Sequence, residues 1–222
     1  RSFFNENWPN RARQLLPTLD HPSDKATSEF IVTAPAKYKV VSNGLLMEES
    51  TMGNHTKLTH WKQMVPVSCW LFVLGVAEFA VQYVDQFNGK SIETWVYAKN
   101  REAGFYDFAE PTKAVLEFYS SYVGPFAYEK LANIQCASVN GGMETSSAIF
   151  YGEDLVNGKR DVRTREVVIH EIAHQWFGNA VTETTWDDAW LSEGFATFFT
   201  LLFNEHAYGK DEYIKGVIKA RK

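Results

Sequence analysis

Two of the six histidines of this 222-residue chain stand four residues apart in the stretch VVIHEIAHQWFGN, residues 167–179, with a glutamate directly after the first. On a helix, residues four apart share one face with ~5–6 Å between their β-carbons, so His170 and His174 can both turn a ring nitrogen toward one ion. Glu171 falls beside the pair, where a carboxylate can take a proton from a water at an open coordination position. The plainer alternative is an amphipathic helix on which two histidines happen to share a face. With six His and 18 Glu in the chain, the spacing is expected roughly 0.01 times by chance, so coincidence weighs little against the metal reading.

A catalytic zinc keeps three protein ligands and one open position, so the pair requires a third His, Asp or Glu. Glu193 meets that requirement, after 18 intervening residues beyond His174 on the next predicted helix, with Gly178 and Asn179 between them where the chain can fold back. Zinc on His170, His174 and Glu193 with Glu171 as general base is therefore the chemistry that the spacing predicts. A second stretch, GGMET at 141–145, reads by itself as a tight turn on Gly141 and Gly142.

The elements that must position these groups are legible in part. A helix is predicted over 164–178, with Thr164 as N-cap, Glu166 in the first turn and Gly178 as terminator. Another is predicted over 187–209, capped by Asp187 or Asp188 and ended by Gly209, and a third over 110–124, with Pro111 at its start and Gly124-Pro125 as its stop. From Phe30 to about Val84 the chain runs in short β-type stretches (FIVTAP, KYKVVSNG, HTKLTHW, CWLFVLGV) broken by Pro, Gly and Asn, and SIETWVY at 91–97 alternates like one more strand. The longest apolar run, CWLFVLGVA at 69–77, reads as a single buried strand and is far short of the ~20 residues that span a bilayer. The shift from β-rich to mixed composition predicts a domain boundary near 80, dividing the chain into 1–80 and 81–222.

Composition narrows the class. A 45% hydrophobic, 15% aromatic chain has ample material for packed cores, and a net charge of −5 gives no one-sided positive field, so nucleic acid is not an expected partner. The basic cluster Lys159, Arg160, Arg163 and Arg165 alternates with Asp161 and Glu166 and reads as a solvated loop and helix start. Cys69 and Cys136 are too few for a disulfide framework and are expected in the core. His21, His55, His60 and His206 have no spaced partner and are assigned surface or capping roles. The chain opens on Arg1 and reads as a piece of a longer protein. Its compartment and oligomeric state are not legible.

Taken together, HEIAHQWFG, WLSEGFATFF at 190–199 and GGMET resemble the zinc aminopeptidase family typified by aminopeptidase N, and the likeness extends, more weakly, over nearly the whole chain, including LPTLDHPSDKAT at 16–27. The resemblance implies an α+β fold: a β-rich, saddle-like N-terminal domain, incomplete here, then a thermolysin-like catalytic domain truncated at its C-terminal end. It implies that Glu144 binds the α-ammonium of a peptide with a free N-terminus, that Gly141, Gly142 and Met143 line the cleft, and that the activity is that of a zinc aminopeptidase. Two positions depart from the family pattern: Thr145 stands where Asn is usual, and Thr200 where an acid often orients a ligating histidine. The family's oxyanion-stabilising tyrosine is expected beyond Lys222, Tyr208 and Tyr213 being packing or surface residues, and its second amine-binding residue is expected before Arg1. This piece alone is accordingly expected to be weakly active or inactive. Three rival readings remain: a thermolysin-like endopeptidase, against which Glu144 argues; an epoxide-hydrolysing branch using the same zinc; and an inactive zinc-binding scaffold, against which the intact Glu171 argues.

Overall fold

The computed structural model describes residues 1–221. The first third of the chain is β structure. Strands β1 (Phe3–Asn5), β2 (Lys25–Pro35), β3 (Lys39–Ser42), β4 (Leu45–Thr51), β5 (Thr56–Ser68) and β6 (Leu74–Ala77) are interrupted only by the one-turn helix α1 (Ala12–Leu15) and a 3₁₀ turn at Cys69–Leu71. They form two antiparallel three-stranded sheets, ordered β2-β5-β4 and β1-β6-β3.

The apolar run at 69–77 is not one strand. Cys69–Leu71 turns as a 3₁₀ helix and only Leu74–Ala77 pairs. Its buried backbone finds side-chain partners instead of a ladder: Asn43 Nδ2 donates to Leu71 O (3.0 Å), the Val73 N–H donates to Asn43 Oδ1 (2.8 Å), and Asn7 Nδ2 donates to Phe72 O (2.7 Å). Because the obligatory partners of buried backbone are supplied from afar, apolar composition alone could not reveal the break.

The second part is a five-stranded sheet covered by helices. After β7 (Phe79–Phe87) and β8 (Lys90–Tyr97) come α2 (Arg101–Ala109), α3 (Thr112–Tyr122), β9 (Lys130–Cys136), β10 (Gly142–Met143), β11 (Ala148–Gly152), α4 (Val162–Ala173), α5 (Ala189–Tyr208) and α6 (Lys210–Ala220). Strand order is β10-β11-β9-β8-β7, with β8, β9 and β11 parallel and the two edge strands, β7 and β10, antiparallel to their neighbours. The central strands β9 and β11 are buried at every residue, as parallel strands covered on both faces are. This is the α+β architecture expected: a β-rich N-terminal part followed by a sheet-and-helix catalytic part.

The helix boundaries differ from expectation in instructive ways. The cap of α4 is Asp161, whose carboxylate accepts the Thr164 N–H at 2.7 Å; Thr164 is inside the first turn, its hydroxyl donating to Leu155 O. Regular helix ends at Ala173, and Gly178, at φ +112, sits in the turn beyond, where an added β-carbon would meet Ser192 Oγ at 2.3 Å. Asp188 occupies the position before α5 without capping it, its carboxylate accepting the Thr185 hydroxyl instead, while Gly209 ends α5 at φ +90 as expected. Pro111 precedes α3, and Cys69 and Cys136 are buried and unpaired.

The β-rich part reaches directly to the segments that carry the motifs. Asn43 Nδ2 donates to Ser146 O, the Gly44 N–H donates to Ser147 Oγ (2.8 Å), and the buried Lys130 ammonium donates to Ser42 O (2.8 Å). Lys25 Nζ donates to Asn179 O and Ala180 O, and Trp186 packs on Trp8 and Trp70 while its indole N–H donates to Asn10 Oδ1 (2.8 Å). The loops on either side of α4 are thus fixed against the first domain.

Candidate active site

On α4 the Nε2 atoms of His170 and His174 lie 3.1 Å apart. Glu193, the fifth residue of α5, places Oε2 at 3.3 Å from His170 Nε2 and 3.7 Å from His174 Nε2. A tetrahedral zinc with bonds of about 2.0–2.1 Å needs ligand–ligand edges of about 3.3–3.4 Å, so these three separations fit a metal with no rearrangement beyond a few tenths of an ångström. The fit is reinforced by what holds His174: its Nδ1 lies 3.0 Å from Phe177 O and 3.1 Å from Ser192 Oγ. Donation of Nδ1–H to these acceptors leaves Nε2 as the unprotonated ligand atom.

Glu171 is buried beside the pair, and the close approach of Gly142 confines it. A β-carbon at Gly142 would fall 2.2 Å from Glu171 Oε1, so only glycine lets edge strand β10 pass the carboxylate this closely. Gly141, at φ +79, makes the turn before β10, and its carbonyl accepts the Gly152 N–H at 2.7 Å. Gly142 and Met143 are paired with Tyr151 and Phe150, so the stretch is both turn and strand edge.

Glu144 follows the strand, buried, with its carboxylate 4.0 Å from His174 Nδ1 and within 4.8 Å of a Glu171 oxygen. Its backbone carbonyl is clamped by two amides from just past α4, Gln175 Nε2 (3.0 Å) and Asn179 Nδ2 (2.6 Å), while the Ser147 N–H donates to Gln175 Oε1 (3.0 Å). Sequence reasoning passed over Gln175, Asn179 and Ser192, whose work is done by contacts too distant in the chain for any periodicity to show. It also passed over Glu6 and Glu183, two more carboxylates within electrostatic reach of Glu144. The Glu6 carboxylate is already engaged, accepting the Trp8 N–H and meeting Arg11 Nη1 at 2.9 Å.

The electrostatics favour a cation. Burial, and then the Glu144 carboxylate, push the Glu171 carboxyl well up. Burial alone would lower His174, but the Glu144, Glu193 and Glu171 carboxylates outweigh it and raise the imidazole to about 10. Hydrogen bonds from His170 and His174 hold the Glu193 carboxyl well below the usual carboxylate range. Positive charge is thus stabilised where the three donor atoms converge.

The two departures are accounted for locally. Thr145 is fully buried and closes its own turn, its hydroxyl donating to Ala148 O. Thr200 donates its hydroxyl to Ala196 O (2.8 Å) on its own helix and is not bonded to an imidazole, and the support of His174 comes from Phe177 and Ser192. Tyr208 lies under the Arg165 guanidinium at 3.9 Å, a packing role, and Tyr213 is in α6.

Comparison with known proteins identifies the family. Residues 107–221 match the Peptidase family M1 domain and residues 4–71 the Peptidase M1 N-terminal domain. The chain belongs to peptidase family M1. It is 34% identical over 208 residues to the glutamyl aminopeptidase of Rattus norvegicus, covering 90% of this chain and 22% of that protein. The probable aminopeptidase 1 of Saccharolobus solfataricus is likewise 34% identical over 208 residues, covering 89% of this chain and 26% of that protein. The M1 zinc metallopeptidase of Deinococcus radiodurans superposes with a TM-score of 0.83 at 28% identity, over 99% of this chain and 49% of that one. A variant of that protein bound to a Tyr-Ser-Ala substrate superposes at 0.82 and 29% identity, over 95% of this chain and 48% of that one. The chain therefore spans about a fifth to a quarter of these curated relatives and about half of the solved chain. No helix among the described residues is long and apolar enough to cross a membrane.

Proposed function

We propose that this chain carries the zinc site and amine anchor of an M1 aminopeptidase, a zinc-dependent hydrolase that removes N-terminal residues from peptides, with residues 1–80 as the β domain and 81–222 as the catalytic domain. The observation that supports it most is the Glu144 carboxylate beside the His174 and Glu171 side chains, on a residue whose backbone carbonyl is clamped by Gln175 and Asn179. A carboxylate so placed favours a substrate whose cationic N-terminus lies one residue from the scissile bond.

His170, His174 and Glu193 would hold the zinc, which when bound polarises the scissile carbonyl and acidifies a water. Glu171 takes the proton of the attacking water and passes it to the leaving amine, a transfer that its position one residue from a ligand permits. Glu144 binds the α-ammonium. The edge strand β10 has one side unpaired by protein and can accept the substrate backbone as an added strand, with the glycines allowing close approach. Phe177 O and Ser192 Oγ fix the His174 tautomer.

The test is made on the full-length protein. One zinc per chain by elemental analysis, and cleavage of free but not N-acetylated peptides, are expected. Glu144→Ala should remove a charge-assisted contact worth ~1.5–3 kcal/mol, tenfold to more than a hundredfold in kcat/KM on free peptides, with little further loss on acetylated ones. Equal losses on both would make Glu144 a structural part of its turn and favour an endopeptidase.

A further inference from the structure

Three residues beyond Glu144 the backbone takes a conformation that it does not hold alone. Ser147 is fully buried at φ +61, in the left-handed region that residues other than glycine seldom adopt. Every polar group it carries is matched. Its hydroxyl accepts the Gly44 N–H (2.8 Å) and donates to Gln63 Oε1 (3.3 Å), both from the β-rich part of the chain. Its N–H donates to Gln175 Oε1 (3.0 Å), and its carbonyl accepts the Ala132 N–H (3.0 Å). A residue in so sparsely populated a region persists only where its surroundings over-determine it, and here the β-rich part supplies two of the four bonds.

The Gln175 side chain that meets the Ser147 N–H also donates its amide to Glu144 O (3.0 Å). A continuous series of hydrogen bonds thus runs from Gln63 to Ser147, from Ser147 to Gln175, and from Gln175 to the backbone of Glu144. Beside it, Asn43 Nδ2 donates to Ser146 O (2.6 Å) while Asn43 Oδ1 accepts the Val73 N–H (2.8 Å), so the neighbouring peptide is fixed by a side chain that is itself fixed. Asn43, Gln63, Ser147 and Gln175 are all buried, so water does not compete for these bonds.

We propose that Ser147, held by Gly44 and Gln63, is a positioning residue for the peptide amine, through which the β-rich part sets where the Glu144 carboxylate meets the α-ammonium. The inference rests on the aminopeptidase reading. Ser147 acts through the backbone of residue 144 and through Gln175. Without its hydroxyl the turn loses both bonds to the β-rich part and is free to leave the left-handed conformation, which moves the amine anchor. The three metal donors stand on α4 and α5 and keep their places, so amine recognition and metal binding come apart.

Zinc-loaded full-length protein is titrated with leucine hydroxamate and with isocaprohydroxamate, its analogue without the amine. The parent should bind leucine hydroxamate about tenfold more tightly or better. Ser147→Ala should remove most of that preference while keeping one zinc per chain and leaving the affinity for isocaprohydroxamate within about threefold. Gln63→Met, which removes the acceptor of the Ser147 hydroxyl at similar side-chain volume, should act in the same direction by a smaller factor. Asn10→Ala removes a different bond between the two parts of the chain, the one to Trp186, and should leave the preference unmoved. A preference unmoved by Ser147→Ala, equal weakening of both ligands, or an equal loss of preference in Asn10→Ala would overturn the proposal. If Ser147→Ala does not fold, hydrogen exchange on the parent decides: coupling between sites is reciprocal, so leucine hydroxamate should slow exchange of the Gly44 and Ser147 amides more than isocaprohydroxamate does, and equal protection overturns the proposal. A parent that binds the two ligands equally sinks the amine anchor, and with it the aminopeptidase reading, before any variant is made.

Discussion

His170 and His174 stand one helical turn apart and face the same point, yet the fold holds them differently. The His174 side chain is 1% exposed and its Nδ1 is met by Phe177 O and Ser192 Oγ, groups from the turn beyond α4 and from α5. His170 is 24% exposed, borders a cavity of about 380 Å³ lined by Val167, Thr197, Thr200 and Leu201, and takes its orientation from the helix and from Glu193. One ligand is set by long-range contacts before a metal arrives; the other is set mainly by helix spacing. Glu144 lies on the closed flank, its carboxylate 4.0 Å from His174 Nδ1, and the cavity lies on the open one. On the proposed function, the amine belongs to the His174 side and the remainder of the peptide to the His170 side.

The largest effect should come from the group between the flanks. Glu171→Gln in the full-length enzyme is expected to keep one zinc per chain and lose two to four orders of magnitude in kcat, since the amide cannot accept the proton of water. Near-normal turnover in that variant would remove the role assigned to Glu171. Gly142→Ala offers an independent route to the same result: its β-carbon would arrive 2.2 Å from Glu171 Oε1, displacing the carboxylate while leaving both histidines in place. Turnover should fall by at least tenfold with zinc retained, and loss of zinc as well would mean that β10 supports the ligands and not the base.

What could be read from the sequence follows the same division between local and distant. The HExxH spacing is a property of one helix, so His170, His174 and Glu171 were visible, and Glu193 followed from the demand for a third ligand. The groups that prop the site were not: Ser192, next to Glu193, meets His174, while Gln175, next to His174, and Asn179 clamp the Glu144 carbonyl, each across a fold-back that no periodicity records. The segment after β1 docks on the second domain through Trp8 and Asn10, which meet Trp186 far along the chain. Asp161 took the cap predicted for Thr164 because both residue types can cap, and the helix began one turn earlier. The run at 69–77 misled because its backbone partners are the side chains of Asn7 and Asn43, far away in the chain.

A next, smaller effect tests the closed flank. Ser192→Ala removes one of two acceptors from His174 Nδ1. Loss of such outer partners typically weakens metal affinity by tenfold to a hundredfold, and competition against a chelator should show a Kd change within that range. An unchanged Kd would mean that Phe177 O alone fixes the imidazole, and the closed flank would then owe its rigidity to burial.

The smallest effect should come from Thr200, on the open flank. Its hydroxyl is committed to Ala196 O at 2.8 Å within α5, a back-bond that serves its own helix and leaves His170 untouched. Thr200→Val keeps the shape of the side chain and removes only that bond, so zinc Kd in the same chelator competition should stay within about threefold of the parent. A change as large as that of Ser192→Ala would show that the hydroxyl reaches the imidazole when metal is bound, and the two histidines would then be supported alike. Thr200→Glu sharpens the same point from the other direction. If the open flank lacks an acceptor for His170, a carboxylate that reaches its Nδ1–H should tighten zinc, while one buried without that partner should leave affinity unchanged and lower thermal stability. The second outcome would mean that His170 is positioned by α4 and Glu193 alone.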